Sequence, residues 1–368
     1  MQKNCCSQGL LETIDTMKIL FLPNFGVRNM TADDPSIAPP NKVIDPRKYW
    51  FFRHMDGWEV TVIDNRAPLP FRLISRFAKV EIFQALKAIV RQSDFDVVIS
   101  HSLGSGFVFA LLRSVFSKNE PVHIVIDVGC LNGGKENGLQ LRLIQLALRA
   151  VSGLIYHSTV NEGFYQKHFP AVRRVFVLFG ADTDLFNPSG EEPKGNYALS
   201  IGYTFRDYDD LLRAWSKIDI PLRIVGSAAV DRRGLRNVEL IPRIPIDKLD
   251  GHIKDARFII LPIKNVRYSV GQMTLTQCMA MQKPIIVSRS HGVSDYCEDG
   301  INCLTYECGN DSETVMKVNS LISDPDMARD IARKARSDVL SKYNEKAMAK
   351  RICEFVGDVF SAKERLKN

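Results

Sequence analysis

Residues 256–300 read ARFIILPIKNVRYSVGQMTLTQCMAMQKPIIVSRSHGVSDYCEDG. The apolar run Phe258 to Leu261, closed by Pro262, predicts a buried parallel strand. From 271 to 281 the apolar positions Met273, Cys278, Met279 and Met281 recur at helical spacing, and a second buried strand is expected over Pro284 to Ser288. Strand, glycine-bearing loop, helix and strand make one βαβ step of a parallel sheet. The helix of such a step starts beyond the carboxyl ends of the strands, where its free N–H groups and dipole favour an anion. Gly271, Gln272, Met273 and Thr274 therefore form the expected anion-facing turn, with phosphate the first candidate ligand.

The same strand-and-turn pattern repeats along the chain. KILFLP at 18–23 runs into Asn24, Phe25 and Gly26, a turn placed to face a ligand crevice. Residues 29–47 carry four prolines and no periodicity, the mark of a long loop, and a helix is expected between them and the strand at Trp58. Further buried strands are expected from Trp58 to Ile63, over 96–100, from His123 to Asp127, from Gly153 to Ser158, from Tyr197 to Gly202 and within PLRIVGSAA at 221–229, which turns at Gly226. A chain of 368 residues exceeds what one core fills, so two domains of roughly 150–190 residues are expected. The polar tract SGEEPKGN at 189–196 is the expected hinge. The predicted fold is α/β: two facing Rossmann-like, doubly wound domains with a cleft between them. The divisions are a disordered leader over 1–16, a first domain over 17–188, the hinge, and a second domain over 197–344. Residues 345–368 are expected as a helix that packs back on the first domain.

The central stretch resembles the donor-binding segment of nucleotide-sugar glycosyltransferases with the GT-B fold, above all the retaining family 4. That family writes it E-G-F-G-x4-E-A-M-A-x-G-K-P-V-I, and SVGQMTLTQCMAMQKPII keeps the spacing to Met279-Ala280 and Lys283-Pro284. VFVLFGADTDLFNP at 175–188 resembles the family's crossover out of the first domain. The resemblance implies sugar transfer from a nucleoside-diphosphate donor to a hydroxyl of a saccharide or lipid-linked saccharide, as in cell-surface polysaccharide or glycolipid synthesis. It also assigns positions. Ser269 stands where a glutamate would hold donor-sugar hydroxyls, and Gln277 where one would hold the ribose; Gln retains the capacity to bond a diol, whereas Ser is too short to replace a carboxylate. Tyr203 replaces an arginine that follows Gly202, which leaves Arg206 as the diphosphate clamp. Gly26 and Gly226 line the crevice, Arg243 lies in the loop used for base recognition, and Asp127 replaces a histidine near the reacting centre. An aspartate closing an apolar strand must be paired, hydrogen-bonded or functional, so Asp127 is a candidate general base for inverting transfer, with loop fixing as its structural alternative.

Other motifs compete. His101-Ser102-Leu103-Gly104-Ser105-Gly106 after a strand is similar to a nucleophile elbow, with Ser102 as nucleophile and His291 and Asp295 as partners for a serine hydrolase. The lost glutamates admit a catalytically silent sugar-nucleotide-binding subunit, and a nucleotide-sugar epimerase shares the fold. Asp182-Thr183-Asp184 has the letters of a metal motif but sits in the crossover, so it reads as structural. No metal or other cofactor is expected, because Arg206 and the turn at 271–274 supply the positive charge a cation would bring.

Composition narrows the partners. Net charge +7 favours an anionic one. The resemblance points to nucleotide phosphates rather than nucleic acid. Residues 66–93 interleave Arg66, Arg72, Arg76, Lys79, Lys87 and Arg91 with apolar side chains, the pattern of a basic amphipathic helix on an anionic membrane. Eight cysteines show no C-x-x-C pair, as expected of reduced thiols in the cytoplasm, and no run of eighteen apolar residues marks a spanning segment. The expected place is cytoplasmic, peripheral on the inner face of a membrane.

Overall fold

The computed structural model describes residues 16–24, 50–78, 80–116, 121–131, 138–188, 190, 193–226, 230–244 and 246–367. The first half runs β1 (Met17–Leu22), β2 (Trp58–Val62), α1 (Leu69–Ala78), α2 (Ile82–Arg91), β3 (Val97–His101), α3 (Ser102–Phe116), β4 (Val122–Asp127), α4 (Leu139–Leu148), β5 (Gly153–Tyr156), α5 (Glu162–His168) and β6 (Arg173–Phe176). The second runs β7 (Ala198–Ile201), α6 (Tyr208–Trp215), β8 (Leu222–Val225), β9 (Val238–Ile241), α7 (Ile246–Asp255), β10 (Phe258–Leu261), α8 (Gln272–Ala280), β11 (Ile285–Ser288) and β12 (Leu304–Tyr306). Helices α9 (Asp311–Ser323), α10 (Pro325–Ser341) and α11 (Glu345–Lys367) close the chain.

Each half is one parallel six-stranded sheet, in the orders β2-β1-β3-β4-β5-β6 and β12-β11-β10-β7-β8-β9. Strands such as FIIL and IIVS are buried at every position because helices cover both faces of a parallel sheet. Strand order reverses between β1 and β3 in the first sheet and between β7 and β10 in the second. Those reversals split the carboxyl edge of each sheet into a crevice, which fixes where ligands bind in such folds.

Three local expectations are corrected. The basic segment is two helices, because the Glu81 amide donates to Gly104 O at 2.9 Å and leaves helical geometry there, turning the chain so that Ala85 and Ala88 pack inward. The helix expected before β2 is a single 3-10 turn, Trp50–His54. Strands β6 and β12, of four and three residues, were not anticipated, since runs so short carry little periodicity. The expected leader lies outside the described residues but for Thr16, and Gly26 and the proline-rich loop over 29–47 lie wholly outside them.

Helix α11 returns to the first sheet. Its Met348, Ala349, Ile352 and Val356 are buried in the core that holds Ile19, Ile99 and Ile124. The crossing is clamped by Arg53, whose guanidinium lies 2.8 Å from Asp182 and 2.6 Å from Glu345 at the start of α11. Asp182 also accepts the amides of Asp184 and Leu185 at 3.0 and 3.1 Å, so the Asp-Thr-Asp triplet folds its own turn. Arg53→Ala strands two carboxylates at the crossover. It is expected to destabilise the chain by about 2 kcal/mol, between the values for surface and buried pairs, and to expose α11 to proteolysis; urea unfolding and limited digestion measure both.

Candidate functional site

The crevice of the second sheet is built by the segments that follow β7 and β10. They are zipped together: Asp207 N donates to Pro262 O at 2.7 Å, and Arg206 forms an antiparallel bridge with Ile263. Arg206 lies between them. Its Nε donates to Ile201 O at 3.1 Å, Nη1 to Thr204 O at 3.1 Å and Nη2 to Thr274 Oγ1 at 3.3 Å. A Cβ on Gly202 (φ +126°) would stand 2.7 Å from Arg206 Nε, so glycine lets the guanidinium lie flat against the backbone. No carboxylate pairs with Arg206 among the described residues, and desolvation by burial lowers its pKa below the ordinary guanidinium value. Cation, Thr274 hydroxyl and the first turn of α8 thus meet at one place.

Gly271 caps α8 in the left-handed region (φ +92°) without a side-chain cap. The amides of Gln272, Met273 and Thr274 therefore have no intrahelical acceptor and point out of the helix end. A Cβ on Gly226 (φ +101°) would lie 3.6 Å from Gly202 C, and the exposed Tyr203 ring carries the Arg243 guanidinium 4.8 Å above it. Arg206, Gly202, Gly226, Gly271, Thr274 and the Tyr203–Arg243 pair are accordingly one neighbourhood. Gln277 is half-buried farther along α8. Ser269 Oγ is buried with no partner among the described residues, while its amide donates to Val128 O at 3.0 Å in the other half of the molecule. Gln272 sends its side chain the same way, to His157 O at 3.5 Å, so its amide alone faces the crevice.

Asp127 has the contacts of the loop-fixing alternative. It is 0% exposed, accepts the Tyr165 hydroxyl at 2.6 Å and the Cys130 amide at 3.0 Å, and further amides of that loop reach it. Burial raises its pKa, while Tyr165 and the loop amides pull it down. Buried and with both oxygens engaged, the carboxylate anchors the loop after β4. That loop meets the second half through Gly129 (φ +91°), where a Cβ would lie 2.8 Å from Tyr268 Cα.

The elbow at Ser102 does have strained backbone, φ 70°, between β3 and α3. Its Oγ is buried and receives the Gly104 amide, and no imidazole or carboxylate bonds it among the described residues. Asp295 spends both oxygens on the amide and hydroxyl of Thr159, and His291 is exposed, with its amide on Asn265. A hydrolase triad is not assembled. Sequence reasoning missed several cleft groups. His101, at the end of β3, stands 2.7 Å from Asn24 Oδ1 at the first sheet's reversal. Phe205, in a left-handed conformation, stacks on Tyr268 at 5.4 Å. Tyr296 donates to His157 O and accepts the Phe179 amide across the halves. Only contact between distant segments defines these roles; the strand-end position of His101 was the one readable sign.

Comparison with known proteins places this architecture. Residues 182–338 match the family model for glycosyl transferases group 1. A curated relative, an uncharacterized glycosyltransferase of Methanocaldococcus jannaschii, is 21% identical over 174 residues, 45% of this chain and 48% of its own length. The sucrose-phosphate synthase structure from Thermosynechococcus elongatus superposes with a TM-score of 0.70 at 15% identity, covering 94% of this chain and all of that one. The Anabaena HepE structure in complex with UDP superposes at 0.68, 16% identical, over 93% of this chain and 100% of its own. The fold is that of GT-B glycosyltransferases.

The domain boundary also carries a titratable group. His157 is 2% exposed, its Nδ1–H donates to Val177 O at 2.7 Å, and Nε2 is buried without a partner among the described residues. Burial lowers its pKa from 6.5 to about 4. Between those values the unfolded chain binds a proton that the folded chain refuses. Stability from this group therefore falls with falling pH across that window, by about 1.4 kcal/mol per pH unit. Urea unfolding at several pH values should show His157→Phe with a shallower slope by one proton; an unchanged slope would remove His157 from the account.

Proposed function

We propose that the chain transfers a hexose-type sugar from a nucleoside-diphosphate sugar to a hydroxyl of a saccharide or lipid-linked saccharide. The observation that carries this reading is the unpaired Arg206 guanidinium bonded to Thr274 in the amide-rich first turn of α8, at the reversal point of the second sheet. A diphosphate fits a site made of one planar cation and three outward amides. The Tyr203–Arg243 pair beside Gly226 lies where a base would extend from it. The HepE structures with UDP-glucose, and with UDP and glucose, support a diphosphate-sugar donor in this fold.

Arg206 and the amides of Gln272 to Thr274 oppose charge that grows on the departing diphosphate, so the transfer as proposed needs no metal ion. With Asp127 sealed, the departing phosphate oxygen takes the acceptor's proton, which keeps nucleophile and leaving group on one face of the sugar. Retention of anomeric configuration is the expected product stereochemistry, read by NMR of the new linkage. Ser269 and Gln277 in place of two carboxylates favour a second reading, a silent subunit that binds the donor without turning it over.

The acceptor side carries a surface suited to lipid. Helices α1 and α2 expose Leu69, Leu73, Leu86 and Val90, the last at 81%, beside Arg66, Arg72, Lys87 and Arg91. No helix among the described residues is long and apolar enough to cross a membrane, so the proposed contact is peripheral.

Two experiments test the proposal. A screen of UDP, GDP and ADP sugars should yield one donor that raises the melting point and supports transfer. Arg206→Ala should then lower kcat/KM by about 100-fold or more with the unliganded melting point retained. Donor binding without turnover would select the silent subunit, and no nucleotide-dependent stabilisation would end both readings. In flotation, vesicles containing phosphatidylglycerol should capture the chain, pure phosphatidylcholine should not, and Leu73→Glu with Val90→Glu should abolish capture.

A further inference from the structure

A second cavity, of about 330 Å³, lies at the opposite edge of the second sheet, where β10 and β11 begin. Five cations line it: Lys254, Arg257, Lys283, Arg329 and Arg333. No aspartate or glutamate among the described residues does. Its floor is apolar, with Phe258 and Met281 each 1% exposed. Pro188, Gly190 and Pro193 of the tract joining the two halves form one wall.

The cations differ in how they are held. Lys283 is 7% exposed, with Nζ donating to the carbonyls of Lys254 and Ala256, so its charge is fixed beneath the cavity. The Arg257 Nη2 reaches Ile322 O at 3.4 Å, and no carboxylate pairs with that guanidinium among the described residues. Arg329 and Arg333 pair with Asp326 and Asp330 on the exposed flank of α10, and Lys254 pairs with Asp250. Exposed pairs one turn apart are worth a few tenths of a kcal/mol, so they yield readily to a stronger anion. Positive potential in a concave site with an apolar floor suits a compact polyanion that also presents some carbon surface.

We propose that this cavity is a second anion site, taking a small phosphorylated molecule, separate from the donor crevice. Its wall on the connecting tract makes occupancy a means of setting how the two halves are held. The chemistry required is a phosphate group forked by Arg257 and Arg333, with the remainder of the ligand over Phe258 and Met281.

Inorganic pyrophosphate is the probe, titrated calorimetrically into the whole chain. The wild type should show two sites. Arg206→Ala should remove one, and Arg257→Gln with Arg333→Gln should weaken the other by about tenfold or more while leaving nucleotide binding and the unliganded melting point unchanged. Failure of the donor reading would remove only the Arg206-dependent site, so the two outcomes are separable. An isotherm of the Arg257/Arg333 variant identical to wild type would overturn the proposal.

Discussion

A guanidinium partly withdrawn from water, with no carboxylate beside it among the described residues, is the constraint around which the second half is arranged. Desolvating a cation without a counter-charge costs several kcal/mol unless its N–H groups are bonded. Arg206 meets that demand with neutral acceptors only: two carbonyls and the Thr274 hydroxyl. The charge is hydrogen-bonded yet not neutralised, and the uncapped end of α8 adds positive potential at the same point. An acid there would have stabilised the empty protein better. Gly202, where a Cβ would stand 2.7 Å from Arg206 Nε, lets the guanidinium lie on the strand end, an arrangement that suits the proposed anion.

The boundary between the halves follows from a second packing constraint. Gly129 and the stretch Arg267–Ser269 approach until backbone meets backbone, and the Ser269 amide bonds Val128 O. Any side chain at 129 would hold them apart. Asp127 makes this approach possible from below, since its buried carboxylate fixes the loop that presents Gly129. The residue that sequence reasoning placed at the reacting centre thus acts on the cleft through loop position.

Much of this architecture was legible because parallel strands buried on both faces leave continuous apolar runs, and glycine turns mark their carboxyl ends. The start of α8 at Gly271 followed from one glycine between a strand and a helix. Arg206 followed from the resemblance of its loop, and its lack of an acid partner became visible only with the fold. The partner of Asp127 was not legible, because a buried aspartate at a strand end has the same letters whether it bonds a tyrosine or a substrate; Tyr165 lies 38 positions away. The Phe205–Tyr268 stack and the Asp295–Thr159 bond join segments with no local signal at all.

The two anion-directed places are joined by one rigid element. Helix α8 begins at the Arg206 site and ends at Ala280, whose carbonyl accepts Arg336 Nη1 at 2.6 Å. The same guanidinium bonds Phe186 O at 3.0 Å and Asn187 Oδ1 at 3.1 Å, the last residues before the connecting tract. A nine-residue helix is about 13 Å long and does not compress, so a shift at its first turn must appear at its last. Arg336 passes that shift to the crossover, and Met281, the residue after the helix, is the floor of the basic cavity. Helix α8, with no kink-forming residue between Gln272 and Ala280, thus links the proposed donor site at its first turn to the crossover contacts at its last as one stiff element.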